Sequence, residues 1–413
     1  MLLIQPAHEP RKTRSRIGLA IAGGGPIGGM YELGALRALD DAIDGLDLAR
    51  LEVYVGVSSG AFLAAGLANR MTTEEMCRIF ITGQDDLLRF RPESFLKPAF
   101  GEFMRRSSRL PGLLAGWGRD MLGGKRSARL SDALVRFSAL IPPGLFDNTE
   151  VESFLREVFT VRGRSNDFRE LPAHLYVIAV DINCGVTVRF GAAGWKDVPI
   201  SRAVQASAAM PGLYPPVEIR GRSFVDGALR RTMHASIALE HDVDLLLGIN
   251  PMVPFDADAA HLAGGRRTNL VDGGLPVVLS QSFRTLLQSR AQIGISRYAK
   301  QFPATDQVFL EPNSSDRRTF FTNVFSFSSR SAVCQHAYRA TLDDLSQRRD
   351  ALEPLLARHG LKLRAEVVDH PHRTLMHGMR ALPHPTDTTA RLRRALDDVE
   401  SMLRRRRSAA SRA

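Results

Sequence analysis

Short apolar runs, each closed by glycine and followed by helical spacing, set the pattern of the first seventy residues. Arg16 to Ala22 (RIGLAIA) reads as a buried strand, since a continuous apolar run of this length bounded by turn residues suits a strand covered on both faces. It runs into Gly23-Gly24-Gly25-Pro26-Ile27-Gly28-Gly29, and a helical stretch follows from Met30 to Ala42. Leu51 to Val57 reads as a second strand and ends in Gly56-Val57-Ser58-Ser59-Gly60. Ala61 to Asn69 then reads as a helix of small residues. Strand, turn and helix in repeated succession predict an α/β domain with a largely parallel sheet.

The pattern then changes. Asp85 to Pro143 shows no clear strand and is rich in Pro, Gly and Arg, which marks a helical cap or insert spanning about 85–145. Strands resume at Leu175 to Val180, Val186 to Phe190, Asp244 to Ile249 and Val308 to Leu310. Val217 to Arg220 and Ser223 to Val225 read as a hairpin around Gly221-Arg222. The expected organisation is a flexible tail over 1–14, one domain over 15–345, and a polar, basic, peripheral helical extension over 346–413.

Composition narrows the class. Hydrophobic residues make up 44% of the 413, enough for a real core, which excludes global disorder. The 3 cysteines, Cys77, Cys184 and Cys334, are scattered, so a disulfide scaffold is excluded and a zinc ribbon is not expected. No apolar run reaches the length of a membrane span, and the N-terminus lacks the charge-then-apolar order of a signal peptide. The expected location is cytoplasmic, with peripheral membrane association. The net charge of +11 points to an anionic partner. Arginines from Arg89 to Arg129 are interleaved with Phe90, Phe95, Phe100, Phe103 and Trp117, a mixture that suits a lipid headgroup layer. The run Arg404-Arg405-Arg406-Arg407 reads as a solvated tail. No nucleic-acid motif accompanies the charge, so nucleic acid is not expected as a partner.

Three places carry candidate chemistry. Gly56-Val57-Ser58-Ser59-Gly60 fits the Gly-x-Ser-x-Gly nucleophile elbow, in which a serine sits on a strained strand-to-helix turn between glycines that let the backbones pass closely. The next backbone N–H and the helix N-terminus then favour a developing anion. The run from Gly23 to Gly29 offers a dinucleotide fingerprint, Gly23-x-Gly25-x-x-Gly28, or backbone N–H groups facing an oxyanion. The first reading needs an acid at the end of the second strand to hold a ribose, and the serine elbow stands there instead. Asp226, in Val225-Asp226-Gly227-Ala228, follows a hairpin strand and could serve as the base for Ser58. Asp272-Gly273-Gly274 is a similar motif further on. His234 is the histidine nearest Asp226 in sequence, and reads as structural.

Taken together, these residues resemble the patatin-like phospholipase family. The glycine-rich segment, the serine elbow and Asp226-Gly227-Ala228 stand in that family's order. Ala206-Ser207-Ala208-Ala209-Met210-Pro211-Gly212-Leu213-Tyr214-Pro215-Pro216-Val217 is similar to the segment that such proteins carry before the aspartate, and it selects Asp226 over Asp272. The likeness covers about Arg16 to Asn250, and more loosely Phe309 to Tyr338. It implies a patatin-like three-layer fold and a serine acyl hydrolase acting on phospholipids or related esters, without metal or cofactor. In that reading Ser58 and Asp226 form the dyad. Gly23, Gly24, Gly25, Gly28 and Ser59 form the oxyanion segment, and Gly56 and Gly60 shape the elbow. One departure stands out: Ile27 occupies the position where the family usually has Arg or Lys. It motivates an alternative, a weakly active or inactive lipid-binding or regulatory protein of the same fold. A third reading is a histidine-dependent α/β-hydrolase using His336, His359, His370, His372 or His377.

Overall fold

The computed structural model describes residues 1–8, 15–82, 97–99, 143–265, 268–322 and 327–379. The cap expected near 85–145, the Arg89–Trp117 lipid-facing stretch and the Arg404–Arg407 run lie almost wholly outside these residues.

A nine-stranded sheet forms the middle layer, in the order β1-β10-β9-β2-β4-β5-β8-β7, with β6 on the free edge of β5. The strands are β1 Leu2–Gln5, β2 Ile17–Ile21, β4 Val53–Val57, β5 His174–Asp181, β6 Val186–Phe190, β7 Val217–Ile219, β8 Arg222–Asp226, β9 Leu245–Ile249 and β10 Asp306–Leu310. Five neighbours, β10-β9-β2-β4-β5, run parallel, and the margins are antiparallel. Helices cover both faces, which is why the central strands read as unbroken apolar runs. Along β2, Leu19 and Ile21 enter one core while Ala20 enters the other.

On the first face lie α1 Gly25–Ala42, α2 Ser59–Ala68, α3 Ile200–Ser207 and the long α5 Phe327–Gln347. On the second lie the short helix Ser236–Leu239 and the 28-residue α4 Gly274–Gln301, through Leu287, Ile295 and Tyr298. Helix α1 starts five residues earlier than its apolar spacing suggests. Pro26 is set for a first helical turn, and Gly28 and Gly29 are tolerated because neighbouring side chains press on them. Gly34 lets α5 cross closely, since a Cβ there would stand 2.3 Å from the Cys334 carbonyl oxygen.

Two expectations about the chain ends are corrected. Leu2–Gln5, read as part of a flexible tail, is a strand paired antiparallel with β10, from Leu2 opposite Leu310 to Gln5 opposite Gln307. It covers the edge of β10 and becomes the outermost strand on that side of the sheet, a role that four residues without periodicity do not announce. The stretch from 346 to 379 is not a peripheral extension. Helix α5 runs through the expected boundary, and α6 Arg349–Arg358 buries Leu352, Leu355 and Leu356 in the main core. Lys362–Leu363 (β11) pairs with Ile43–Asp44 (β3), and Arg373 grips Asp41 of α1 through both carboxylate oxygens, at 2.7 and 2.8 Å. Polar surface residues masked this buried face in the sequence.

Candidate active site

The ends of β2, β4 and β9 converge at one edge of the sheet, the carboxyl edge where open α/β sheets place ligands. Strand β4 ends at Val57, and Ser58 takes φ 51°, ψ −120°, a backbone region that non-glycine residues rarely occupy. Close packing holds it there. A Cβ on Gly56 would lie 2.4 Å from Ala61 Cα, and one on Gly60 would lie 2.4 Å from the Ala22 carbonyl oxygen. The glycines let α2 turn back tightly against β2 and β4. The Ser58 amide donates to Ser207 Oγ at 2.8 Å, and that hydroxyl donates to the Ile178 carbonyl at 2.5 Å. Ser58 itself is 5% exposed.

Asp226 reaches the elbow through strand pairing. Val53–Val57 pairs with His174–Ile178 of β5, and β8 pairs with Ala179–Asp181. Strand β6 occupies Val177–Asp181, overlapping both sets, so β4 and β8 must share the opposite edge of β5. Val57 therefore faces Ile178, and Asp226 faces the next residue, Ala179. The Asp226 amide donates to the Ala209 carbonyl at 3.0 Å, and Oδ1 accepts from the Ala228 amide at 2.9 Å. Oδ2 is buried without a hydrogen bond of normal length. Burial raises the Asp226 pKa from the ordinary 3.8 to about 6, against the opposing pull of the Ala228 N–H and the nearby Ser58 side chain.

Gly23 completes the junction. A Cβ there would lie 3.0 Å from Ser58 Cβ and 3.2 Å from Ala228 Cβ, so the three motifs meet at one point. The glycine segment's N–H groups are not all available, however. Gly23 donates to the Thr232 carbonyl at 3.2 Å, and Gly24 to Ser59 Oγ at 3.0 Å. The Gly28 amide closes the first turn of α1 on the Gly24 carbonyl at 3.0 Å. Gly24 and Gly28 also pack against Pro251. Gly25 and Ser59 differ, because they open α1 and α2 and their N–H groups have no intrahelical acceptor. Gly25 has φ 61° and open space where a side chain would project.

Three further residues belong to this site, and two of them, Ser207 and Glu32, were given no role from sequence, while His234 was read as structural. Ser207 holds the elbow amide, as described. Glu32 is fully buried, and its Oε1 accepts from Ser59 Oγ at 3.2 Å, so Gly24 N–H, Ser59 and Glu32 form a relay beneath the glycine loop. Burial pushes the Glu32 carboxyl well above its usual range, although the Ser59 hydroxyl opposes this. A lone acid among the apolar positions Tyr31 and Leu33 was the available signal. His234 is buried, with its pKa lowered to about 3 chiefly by burial, so it is neutral and its place is structural.

The other candidates stand apart. Asp272 is exposed and paired with Asn269 at 3.1 Å. His336 is held by Asp316 and His359 by Asp306, each at 2.8 Å, while His370, His372 and His377 are exposed. Two open clefts of about 490 and 880 Å³ share Arg50, Leu51 and Glu52, where β2, β4 and β5 begin. They lie at the opposite end of the sheet from Ser58. The ends of the undescribed stretch are placed near the site: Pro98 bridges Phe146, and Gly144 bridges Gly212, within the segment that leads to Asp226.

The family model for patatin-like phospholipases matches residues 19–239, more than half of the chain and all three motifs, and the chain belongs to that family. No curated protein sequence matches it. Among solved structures, it is similar to VipD from Legionella pneumophila at 15% identity and a TM-score of 0.32, covering 87% of this chain and 82% of that one. It is also similar to the type III effector ExoU of Pseudomonas aeruginosa, at 17% identity and a TM-score of 0.27, covering 84% and 65%. Human GIVD cytosolic phospholipase A2, in complex with methyl gamma-linolenyl fluorophosphonate, aligns at 11% identity and a TM-score of 0.29, covering 84% and 60%.

Proposed function

We propose that the protein is a serine acyl hydrolase that cleaves fatty-acyl esters of phospholipids or related lipids, with Ser58 as nucleophile and Asp226 as general base. The observation that carries this reading is the placement of the strained Ser58 elbow and buried Asp226 on consecutive residues of one edge of β5. Ser58 Oγ attacks the ester carbonyl while its proton passes to Asp226. The oxyanion that forms is held by the Gly25 and Ser59 backbone N–H groups, at the N-termini of α1 and α2. Gly23, Gly24 and Gly28 shape the loop rather than bind the anion. The intermediate collapses, the leaving alcohol takes the proton back from Asp226, and an acyl-Ser58 ester remains. Water then attacks that ester with Asp226 again accepting a proton, releasing the fatty acid and restoring Ser58.

An Asp226 pKa near 6 suits this task, since the group is ionised at neutral pH yet basic enough to accept the proton. No metal or cofactor is required. The substrate is expected at a membrane surface. Among the described residues no helix is long and apolar enough to cross one. Hydrolysis of a medium-chain fatty-acyl ester by the wild type and by Ser58→Ala, purified in parallel, tests the reading. Activity lost in the variant with its circular dichroism unchanged supports it. Absence of activity in both proteins, with vesicles present, would favour the non-catalytic lipid-binding alternative that Ile27 motivates.

A further inference from the structure

We propose that α4 lies in the plane of an anionic membrane and docks the protein there, with its outer stripe facing the lipid. The inference rests on the lipid hydrolase reading for its purpose, but on separate residues for its evidence. Leu275, Val278, Leu279, Phe283, Leu286 and Ile293 are 38 to 70% exposed along one helix. At about 100° per residue they fall within roughly 70° of a common line, and the stripe from Leu275 to Ile293 is about 27 Å long. The buried positions Arg284, Leu287, Gln288, Ile295 and Tyr298 lie on the opposite side. Isolated exposed leucines are ordinary, whereas a continuous stripe of this length on a helix whose opposite side packs from Arg284 onward marks an interaction surface.

Charge identifies the occupant. Helix α4 contains no acidic residue, and its exposed Arg290, Arg297 and Lys300 continue the same stripe toward the C-terminal end. Asp272, the acid just before the helix, is tied to Asn269. An apolar stripe on a helix that carries cations and no acid of its own complements an anionic headgroup layer with acyl chains beneath it. A protein partner for such a face would need an equally long apolar surface lined with acids.

The helix is also fixed beside the proposed catalytic centre. The Thr232 hydroxyl donates to the Leu287 carbonyl at 3.1 Å, while the Thr232 carbonyl accepts from Gly23. Arg290 donates to the Leu229 carbonyl at 3.0 Å, three residues beyond Asp226. Buried Arg284 donates to the Val253 carbonyl at 3.1 Å, on the loop whose Pro251 packs against Gly24. Gln288 joins Asn250 and Glu311 in a buried hydrogen-bonded triad that locks α4 to the ends of β9 and β10. The middle of α4 is thus fixed to the loops at the carboxyl edge of the sheet, the edge that holds Ser58, while its outer stripe faces away from the sheet.

The test uses the full chain and vesicles of ether-linked phosphatidylcholine, pure or containing a third ether-linked phosphatidylserine, neither of which an acyl hydrolase can cleave. Sedimentation with the vesicles is compared for the wild type, Leu279→Ser/Phe283→Ser, and Arg297→Gln/Lys300→Gln. Binding that needs phosphatidylserine, falls with salt, and drops on the order of tenfold or more in each double variant is the expected result. Hydrolysis of a soluble short-chain ester should be unchanged in both variants. Wild-type binding that both variants retain overturns the proposal. So does a wild type that ignores vesicles but self-associates until Leu279 and Phe283 are replaced. If vesicle binding behaves as expected while no ester is cleaved by any form, the docking surface stands and the hydrolase reading falls.

Discussion

Val57 and Asp226 occupy neighbouring places on a single edge of β5, Val57 opposite Ile178 and Asp226 opposite Ala179, although 169 positions separate them in the chain (226 − 57). The strand that delivers the serine elbow stops where the strand that delivers the aspartate arrives from the other direction. Both proposed catalytic groups are thereby positioned by backbone pairing, with little left to side-chain freedom.

The pH dependence follows from Asp226. The base must be ionised, so kcat/KM for a soluble ester should rise with pH through a midpoint near 6. A pH–rate profile with its midpoint near 4 would show that Asp226 is not buried in the working enzyme, or is not the base.

The same shift has a consequence for stability. The folded protein holds the Asp226 proton more tightly than the unfolded chain, so the contribution is fully present below pH 3.8 and is lost as pH rises through about 6. Asp226→Asn should therefore abolish hydrolysis, yet stabilise the fold at pH 7 by about 3 kcal/mol. That gain should shrink toward pH 4. Denaturant unfolding at the two pH values measures it.

Ser207 should matter without touching substrate. Ser207→Ala leaves the Ser58 amide without its acceptor in a buried place, at a cost of about 1–3 kcal/mol in stability. With the elbow less firmly held, kcat should fall about tenfold while KM changes little. Steady-state kinetics beside a thermal melt separates the two effects.

Glu32 offers a charge-free comparison. Glu32→Gln keeps an oxygen that can accept from Ser59, and should retain most of the activity because the native carboxyl is already driven toward its neutral form. Glu32→Ala removes the acceptor, loosens Ser59 and Gly24, and should lower kcat about five- to tenfold. Equal losses in both variants would mean that the charged form is needed.

Gly60→Ala tests the packing that strains the elbow. The new Cβ would stand 2.4 Å from the Ala22 carbonyl oxygen and 2.5 Å from that of Ile21, and neither backbone atom can move aside cheaply. A loss of about 3 kcal/mol or more, read from denaturant melts, is expected.

The sequence alone determined the parallel centre of the sheet, because strands buried on both faces must be apolar throughout, and it determined the three motifs, because only certain residue types tolerate those turns. Ser58, Asp226 and the glycine segment were legible as local chemistry with recognisable spacing. What the tertiary structure decided was which donors remain free and what supports them. Gly23 and Gly24 look identical to Gly25 in sequence, yet their N–H groups are taken by Thr232 and Ser59, atoms that only folding brings near. Ser207 lay within a recognisable segment and Glu32 stood out as an acid between apolar neighbours, but neither position announced its role, because each role is a contact made across a long chain separation. The apolar stripe of α4 escaped notice for a related reason: a helix apolar on two faces shows no single periodic face, and the packed structure alone tells which face was left outside.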